Sequence, residues 1–345
     1  MVQLRLDSWD VDYGASAALV DESWEDVQAA VDPDLDVETS SVPGVTWEEP
    51  IGGRLAEAIG RVGFVDGARH VEARLRAEEE GRSAPAIAGS WAVGAIFTGP
   101  GAHLGPLRVG RELIAADGIQ PPTLVVPVGD ASLSFRGQAV PSADPDAPGN
   151  ALQRTMRDEE ATLARELLSS SPAGELLVLD GTLAFVTNEP VLGLIKRQHR
   201  MYLPPEHEGR LAALPLAART PVFRITYGAN GAQGARRQRR WSWYLRIAHR
   251  RPADSHLVGI VRLELPDAVP LEDARGIAAR AAEVLPLLAS DPLRDPRAPQ
   301  NLYPVGELER QLHRRLGHGE LVRARLRQHI ERLVAASASG AGVPA

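Results

Sequence analysis

Two short apolar segments that each run into Asp-Gly constrain the fold of this chain more than any other feature. The first covers residues 63–69 and carries Asp66, and the second covers residues 175–183 and carries Asp180. A short apolar run bounded by turn residues is typical of a buried strand, and the following glycine permits a tight turn. The sequence therefore predicts two core strands, each with a carboxylate where the strand leaves the core.

These two carboxylates are the first candidates for a metal site. A carboxylate at the mouth of a buried strand is costly unless it is paired or holds a cation. Because Asp66 and Asp180 come from distant parts of the chain, we interpret them as ligands of one divalent ion. The alternative is that each Asp-Gly is an ordinary turn after a strand. The expected ion is Mn²⁺ or Mg²⁺, because hard cations take oxygen ligands and the chain has no cysteine.

A helix predicted over residues 151–169 carries a further candidate. Its apolar residues recur at helical spacing, and at 100° per residue Glu160 falls inside their arc. A glutamate on a buried helical face rarely lacks a partner. Two interpretations stay open. Glu160 is a third metal ligand, with Glu159 in its place if the helix phase differs, or Glu160 forms a buried ion pair, for which Arg157 is the candidate.

Basic residues offer two candidate contacts with phosphate. Lys196 ends an apolar run over residues 190–196, predicted as a strand, where it either binds phosphate or is simply solvated. A Gly-rich turn over residues 228–240 carries four arginines and is followed by aromatic residues. Arginine beside aromatics is typical of single-stranded nucleic-acid binding, and the alternative is a charged hairpin tip followed by core aromatics. The arginines are Arg236, Arg237, Arg239 and Arg240.

The remaining patterns predict an α/β protein. Residues 62–65, 70–76 and 91–98 are predicted as consecutive strands of an antiparallel meander, with Asp66 at the end of the first. We expect an acidic N-terminal extension over residues 1–50 that packs on the core with its acids solvated. One domain is expected over residues 51–335, and a disordered tail over residues 336–345.

Composition narrows the possible partners and compartment. The net charge of −7 means that nucleic-acid binding needs a local basic patch. No run of about 18 apolar residues occurs, and the first residues lack the apolar region of a signal peptide. We therefore expect a cytoplasmic protein without membrane contact. Neither a Walker A motif nor a Gly-x-Ser-x-Gly elbow is present.

The order of these motifs resembles the NurA family of nucleases, which act with the HerA hexameric ATPase on DNA ends. The resemblance spans roughly residues 60–316. The similar segments are residues 64–67, the helix with Glu160, and residues 178–183, 193–196, 219–223, 243–246, 259–264 and 301–304.

The resemblance implies an RNase H-like core, a mixed sheet flanked by helices with N- and C-terminal additions. It implies Mn²⁺-dependent DNA cleavage, as a 5′–3′ exonuclease and single-strand endonuclease, in double-strand break end processing. It also implies a homodimer that docks on a HerA-type translocase. By motif, the family's metal ligands and catalytic groups fall on Asp66, Glu160, Asp180, Lys196 and Tyr303, the last in a C-terminal Tyr-Pro motif.

One departure and two rival functions stay open. Many family members carry a histidine about two helical turns after Tyr-Pro, where this chain has Gln311, with His313 two residues further. The first rival is a non-catalytic scaffold that docks a translocase or DNA. The second is an RNase H-like nuclease acting on RNA, because no element identifiably reads a 2′-hydroxyl.

Overall fold

A computed structural model gives the fold of the protein. The structure describes residues 2–6, 30–171, 175–183, 188–196, 201–228, 238–291, 293, 295 and 297–338. Within these ranges the strands are β1 Gln3–Leu6, β2 Ala30–Asp34, β3 Ile51–Gly52, β4 Val62–Glu79, β5 Arg82–Thr98, β6 His103–Ala115, β7 Leu124–Val128, β8 Ala131–Ala139, β9 Leu176–Asp180, β10 Leu192–Ile195, β11 Ala218–Arg219, β12 Phe223–Gly228, β13 Gln238–Arg246 and β14 Ile260–Pro266. The α-helices are α1 Val37–Ser41, α2 Ala147–Ser170, α3 Pro205–Ala213, α4 Leu271–Val284, α5 Tyr303–Leu316 and α6 Gly319–Ala338. A 3₁₀ helix, Leu285–Leu288, continues from α4.

The strands form one large mixed sheet flanked by helices, so the predicted α/β class is confirmed. Its main path runs β2-β12-β13-β14-β10-β9-β4-β5-β6-β8-β7. Strand β9 pairs in parallel with both β4 and β10, and β6 pairs in parallel with β8. The parallel trio β4-β9-β10 lies in the middle of the path. Its strands read as continuous apolar runs because both of their faces are covered.

Alternation along the central strands divides the core into two layers. Phe64 and Val178 belong to the apolar cluster that includes α4, whereas Val65 and Leu179 pack with α2. Ala68 lies on the same side as Phe64 and packs against the leucines of α5. Successive residues of a strand point to opposite faces. We therefore call the two sides the α5 face, which α4 also covers, and the α2 face.

Strand β4 is longer than the sequence predicts. It runs without a break from Val62 to Glu79 and pairs with β5 along its length, with one register shift between Val71 and Ala73. The prediction of two strands separated by a turn at Asp66-Gly67 is therefore wrong. The alternating residues 70–76 are the second half of the same strand. The turn comes at Glu80-Gly81 instead.

Part of the N-terminal extension belongs to the sheet. Strand β1 pairs with β4, and β2 extends the sheet at β12. Glu38 of α1 is fully buried and binds Arg219 and Arg275, so the expectation that the acids of this segment are solvated is wrong for Glu38. Residues 7–29, with most of the other acids and aromatics, lie outside the described residues.

The prediction of a disordered tail over residues 336–345 differs from the structure at its start. Helix α6 continues to Ala338, so the prediction of disorder is wrong for residues 336–338, and residues 339–345 lie outside the described part. None of the helices that the structure describes combines the length and the hydropathy needed to cross a bilayer.

Candidate metal centre

The register of the central strands brings Asp66 and Asp180 together. Strands β4 and β9 are paired from Val62 opposite Leu176 to Val65 opposite Leu179. Asp66 and Asp180 are the next residues on the two strands. By alternation with Phe64 and Val178, both carboxylates point to the α5 face. The structure therefore joins the two aspartates that the sequence pattern singled out.

Helix α5 supplies a third carboxylate, Glu309. One oxygen from each of Asp66, Asp180 and Glu309 lies within 4.8 Å of the others. Asp66 is buried, and the other two are half-buried. Three carboxylates converging at this spacing are the oxygen ligands that Mg²⁺ and Mn²⁺ take, so these residues fit a hard divalent cation. We call this group the carboxylate triad.

The electrostatics of the triad favour a cation. Burial raises the pKa of Asp66 well above its ordinary value, and the negative charges of Asp180, Glu160 and Glu309 raise it further, whereas Lys196 opposes them. The backbone N–H of Gly67 donates to Asp66 Oδ1 at 2.8 Å. Such surroundings favour the neutral, protonated carboxyl group, and a nearby positive charge favours the ionised one.

Lys196 lies at the triad. It follows β10, whose Leu194 is opposite Asp180, and its Nζ donates to Asp180 Oδ2 at 2.6 Å. The same ammonium donates to Asn301 Oδ1 at 2.6 Å. Asn301 is fully buried and donates in turn to Asp295 Oδ2 at 2.6 Å. The structure thus fixes Lys196 beside Asp180 instead of leaving it solvated.

A second cation binds the helical member of the triad. Arg297 donates from Nη1 to Glu309 Oε1 at 2.7 Å and from Nη2 to Oε2. Its backbone N–H donates to Asp295 Oδ1 at 2.8 Å. Asp295, Asn301 and Lys196 therefore form a continuous chain of contacts that links Arg297 to Asp180.

Glu160 is buried as predicted, but it lies on the other side of the sheet. A Cβ added to Gly67 would overlap Glu160 Oε1, and Gly67 points to the α2 face because Val65 does. Arg157 Nη1 donates to Glu160 Oε2 at 2.9 Å and to the backbone oxygen of Asp180 at 3.3 Å. Of the two interpretations of Glu160, the structure therefore has the ion pair. Its role as a metal ligand stays a prediction that this position does not favour.

Glu159, the other residue considered for that role, points elsewhere. Its carboxylate lies 3.5 Å from Arg108 of β6. Arg108 also binds Glu166. These contacts join α2 to β6.

A cleft of about 1440 Å³ opens beside the triad. One wall is the end of β5 and the start of β6, and the other is α5 with the segment before it. Glu309, Arg297, Tyr303 and His313 all line it. Tyr303 is half-exposed, and partial burial raises the pKa of its hydroxyl. The cleft reaches the triad at Glu309, whereas Asp66 and Asp180 are not among its lining residues.

His313 lies in this cleft next to a second histidine. Its Nδ1 is 3.3 Å from Nε2 of His70 on β4. Burial lowers the pKa of His70, and His313 and neighbouring arginines lower it further. Gln311 donates to Glu307 at 2.7 Å on the same helix. Of the two residues considered for the position of the family's histidine, His313 contacts the ring of His70, and Gln311 contacts Glu307.

The two arginines of the cluster that the structure describes, Arg239 and Arg240, bind groups outside the triad. Arg236 and Arg237 lie outside the described residues. Arg239 forms an ion pair with Asp267 at 2.8 Å, and Arg240 is buried and donates to the backbone oxygen of Leu183 at 2.7 Å. Arg240 therefore has the position of a structural residue. Its burial does not favour a role in guiding a nucleic-acid strand.

The register shows how far Arg240 lies from Lys196 at the triad. Arg240 is opposite Pro266 of β14, whereas Ile195, the neighbour of Lys196, is opposite Arg262. Four residues of strand separate these positions, about 13 Å at 3.3 Å per residue. The aromatic residues that follow the cluster, Trp241, Trp243 and Tyr244, are buried, as the core interpretation predicts.

No protein-family model matches the chain, and no curated protein matches it. The geometry of the site is therefore the basis of the functional proposal.

Proposed function

We propose that the protein is a divalent-metal-dependent nuclease that hydrolyses phosphodiester bonds of DNA, with single strands and duplex ends as substrates. One observation carries the proposal: Asp66, Asp180 and Glu309 bring oxygens within 4.8 Å of one another at the edge of a cleft of about 1440 Å³. The same arrangement supports an enzyme that acts on an extended anionic polymer, because the cleft is much larger than a site for a single small anion.

The carboxylate triad would hold the Mn²⁺ or Mg²⁺ ion. When bound, such an ion supplies Lewis-acid polarisation of a phosphoryl oxygen and a water molecule of lowered pKa. Asp66 would bind the ion in its deprotonated form, because ligands must be deprotonated to bind a metal.

The remaining residues position the substrate. Lys196, held between Asp180 and Asn301, places a fixed positive charge where a phosphate approaches the triad. Tyr303 presents its hydroxyl to the same cleft. Glu160 and Arg157 support the end of β9 from the α2 face, because Arg157 binds the backbone oxygen of Asp180.

The resemblance to NurA nucleases extends this proposal to the biology of the protein. It supports an RNase H-like fold, 5′–3′ polarity, a homodimer, a HerA-type ATPase as partner and a role in DNA end processing. The large mixed sheet with its parallel centre is consistent with that fold. The absence of cysteine from the sequence supports cytoplasmic residence.

One observation favours a second candidate, a non-catalytic scaffold that docks a translocase or DNA. Asp180 and Glu309 each bind a cationic side chain, Lys196 and Arg297. In a scaffold these ion pairs would be purely structural, and removal of one carboxylate would change stability without changing any reaction.

The test is cleavage of labelled single-stranded DNA in Mn²⁺ by wild type and by Asp66→Asn and Asp180→Asn variants. We expect each substitution to lower the rate at least about 100-fold, the equivalent of ~2.7 kcal/mol of transition-state stabilisation. Asp267→Asn is the matched control, because Asp267 pairs with Arg239 outside the triad. Equal rates in all variants would place the reaction elsewhere. No cleavage by wild type, even with a HerA-type partner, would favour the scaffold, and the same assay with RNA distinguishes a ribonuclease.

A further inference from the structure

Arg297 occupies an unusual position between the triad and the cleft. Its guanidinium binds both oxygens of Glu309, yet about half of its side chain, 51%, is exposed. The side chain also lines the cleft through which a substrate would reach the triad. The other cation on the triad, Lys196, has only 18% of its side chain exposed and is held by Asn301.

The contacts of Glu309 create a competition. A bidentate guanidinium fork uses both oxygens of a carboxylate. The same carboxylate contributes an oxygen to the triad, and a metal ion there needs an oxygen lone pair of Glu309. A cation bound there would therefore weaken the fork and free N–H donors of Arg297, because two positive charges would share one carboxylate.

The backbone of Arg297 has contacts that would persist if its guanidinium left Glu309. Its backbone N–H donates to Asp295 Oδ1, and Asp295 is held by Asn301. These contacts do not involve Glu309. Arg297 Nε also lies 3.5 Å from Asp295 Oδ1, so Asp295 anchors the near end of the guanidinium. The two Nη groups can turn toward the cleft about this anchor, and their planar donors match the oxygens of a phosphate.

From these contacts we infer that Arg297 is a phosphate-binding residue. Its ion pair with Glu309 keeps the guanidinium from phosphate until a divalent cation occupies the carboxylate triad. The ligand is a backbone phosphate of a DNA strand lying in the cleft. This inference rests on the proposed function and adds a coupling to it: metal binding and DNA binding strengthen each other through Arg297. By linkage, the factor by which the metal tightens DNA binding equals the factor by which DNA tightens metal binding.

The chain offers a matched control for a variant of Arg297. Arg310 lines the same cleft and forms an ion pair, but with Glu307 at 2.5 Å, which is not part of the triad. Arg297→Gln and Arg310→Gln therefore remove the same charge from the same cleft. Only the first releases a carboxylate of the triad.

The experiment measures two affinities for wild type and both variants. Mn²⁺ binding to the protein alone is measured by calorimetry. Binding of labelled single-stranded DNA is measured by anisotropy over a series of KCl concentrations, with EDTA or with Ca²⁺, which takes the same oxygen ligands. An Arg297→Lys variant, which keeps the charge and loses the fork, accompanies them in case the glutamine variant does not fold.

We expect Arg297→Gln to bind Mn²⁺ at least about threefold more tightly than Arg310→Gln does. In Ca²⁺ its DNA affinity should fall, and the slope of log K against log [KCl] should decrease by about 0.7, the value for one phosphate contact on a single strand. The strengthening of DNA binding by Ca²⁺ should be smaller than in wild type and unchanged in Arg310→Gln. Arg297→Lys should fall between wild type and Arg297→Gln in both affinities.

Two results would overturn the inference, and they are distinguishable. If wild type binds Mn²⁺ through Asp66, but Arg297→Gln matches Arg310→Gln in Mn²⁺ affinity and in salt slope, Arg297 has no such role and the proposed function stands. If wild type binds no Mn²⁺, or Asp66→Asn binds it equally well, the proposed function and the inference about Arg297 fail together.

Discussion

Asp66 shows how much the triad depends on a positive charge. It is buried, three other carboxylates raise its pKa, and Lys196 offsets them only in part. In the absence of a cation, the folded protein holds this carboxyl group in the protonated form to a higher pH than the unfolded chain does. The residue thus lowers the stability of the metal-free fold at neutral pH and is suited to binding a metal.

This electrostatic strain predicts a stabilising substitution. The pKa of Asp66 in the folded protein lies above its value of about 3.9 in the unfolded chain. At pH values between these two pKa values the unfolded chain binds fewer protons than the folded protein, so the free energy of unfolding falls as the pH rises through this range. We expect Asp66→Asn in EDTA at pH 8 to unfold at least about 1 °C above wild type, the shift for ~1 kcal/mol in a chain of 345 residues.

The gain should shrink as the pH is lowered, because wild type then regains its proton. Thermal unfolding followed by circular dichroism at several pH values checks this. Asp267→Asn is the control, and it should show no gain that depends on pH in this way. A lower melting temperature for Asp66→Asn at pH 8 in EDTA would contradict this description of the site.

At the scale of elements, the contact between α2 and β4 depends on Gly67. A Cβ at this position would lie 2.9 Å from Met156 Cγ and 3.0 Å from Met156 Sδ, and would also overlap Glu160 Oε1. The glycine is required by this close approach and not by a turn, because it lies in the interior of β4. It lets the helix approach the strand beside the triad.

We therefore expect Gly67→Ala to destabilise the protein by ~1–3 kcal/mol, the range for overpacking a core. Gly276→Ala is the matched control. Gly276 lies in α4 with nothing within 4 Å of an added Cβ, so alanine there should stabilise by ~0.5–1 kcal/mol. Urea unfolding measures both. A neutral Gly67→Ala would mean that α2 does not lie against β4 as closely as described.

The elements also show what the sequence could predict. Apolar runs into Asp-Gly identified Asp66 and Asp180, because a buried strand is recognisable from its own residues. They did not show that β4 continues past Gly67, since a glycine required by a neighbouring helix looks the same in sequence as one required by a turn. Helical periodicity correctly predicted that Glu160 is buried, but it carries no information on which face of the sheet the helix covers.

Glu309 is a residue of the triad that the sequence analysis did not identify. It lies four residues after Val305 and three before Leu312, both buried, so it sits at the edge of the apolar arc of α5. The spacing test that selected Glu160 required a position inside the apolar arc, and it therefore does not select Glu309. What the sequence does not contain is the tertiary arrangement that puts α5, and not α2, on the face to which Asp66 and Asp180 point.

At the scale of the whole molecule, one buried carboxylate adds to the strand pairing that joins the N-terminal segment to the rest of the fold. Glu38 accepts hydrogen bonds from Arg219, Arg275 and the backbone N–H of Val222. Burial alone would raise the pKa of Glu38, but these donors and the charge of Arg219 together hold it below its ordinary value. The segment thus adds strands to the sheet, and its Glu38 neutralises the positive charges of Arg219 and Arg275.

Loss of this carboxylate should be costly. We expect Glu38→Gln to destabilise the protein by ~3 kcal/mol or more at pH 7, because it leaves Arg219 buried without its counter-ion. Since the folded pKa lies below the unfolded one, the difference from wild type should narrow as the pH falls through the folded pKa. Asp34→Asn, at an exposed pair with Arg224, should change stability by less than ~1 kcal/mol. Similar effects of the two substitutions in urea unfolding would contradict this role of Glu38.

The most direct test of the carboxylate triad is calorimetric Mn²⁺ binding to wild type and to Glu309→Gln and Glu160→Gln variants. Both substitutions remove one charge from a carboxylate near Asp66, but only Glu309 shares its face of the sheet. We predict that Glu309→Gln weakens Mn²⁺ binding at least about tenfold, the lower end of the effect of altering even an outer contact of a metal site. Glu160→Gln should keep wild-type affinity within about threefold and lose stability instead. Loss of Mn²⁺ binding in Glu160→Gln with retention in Glu309→Gln would contradict the triad described here.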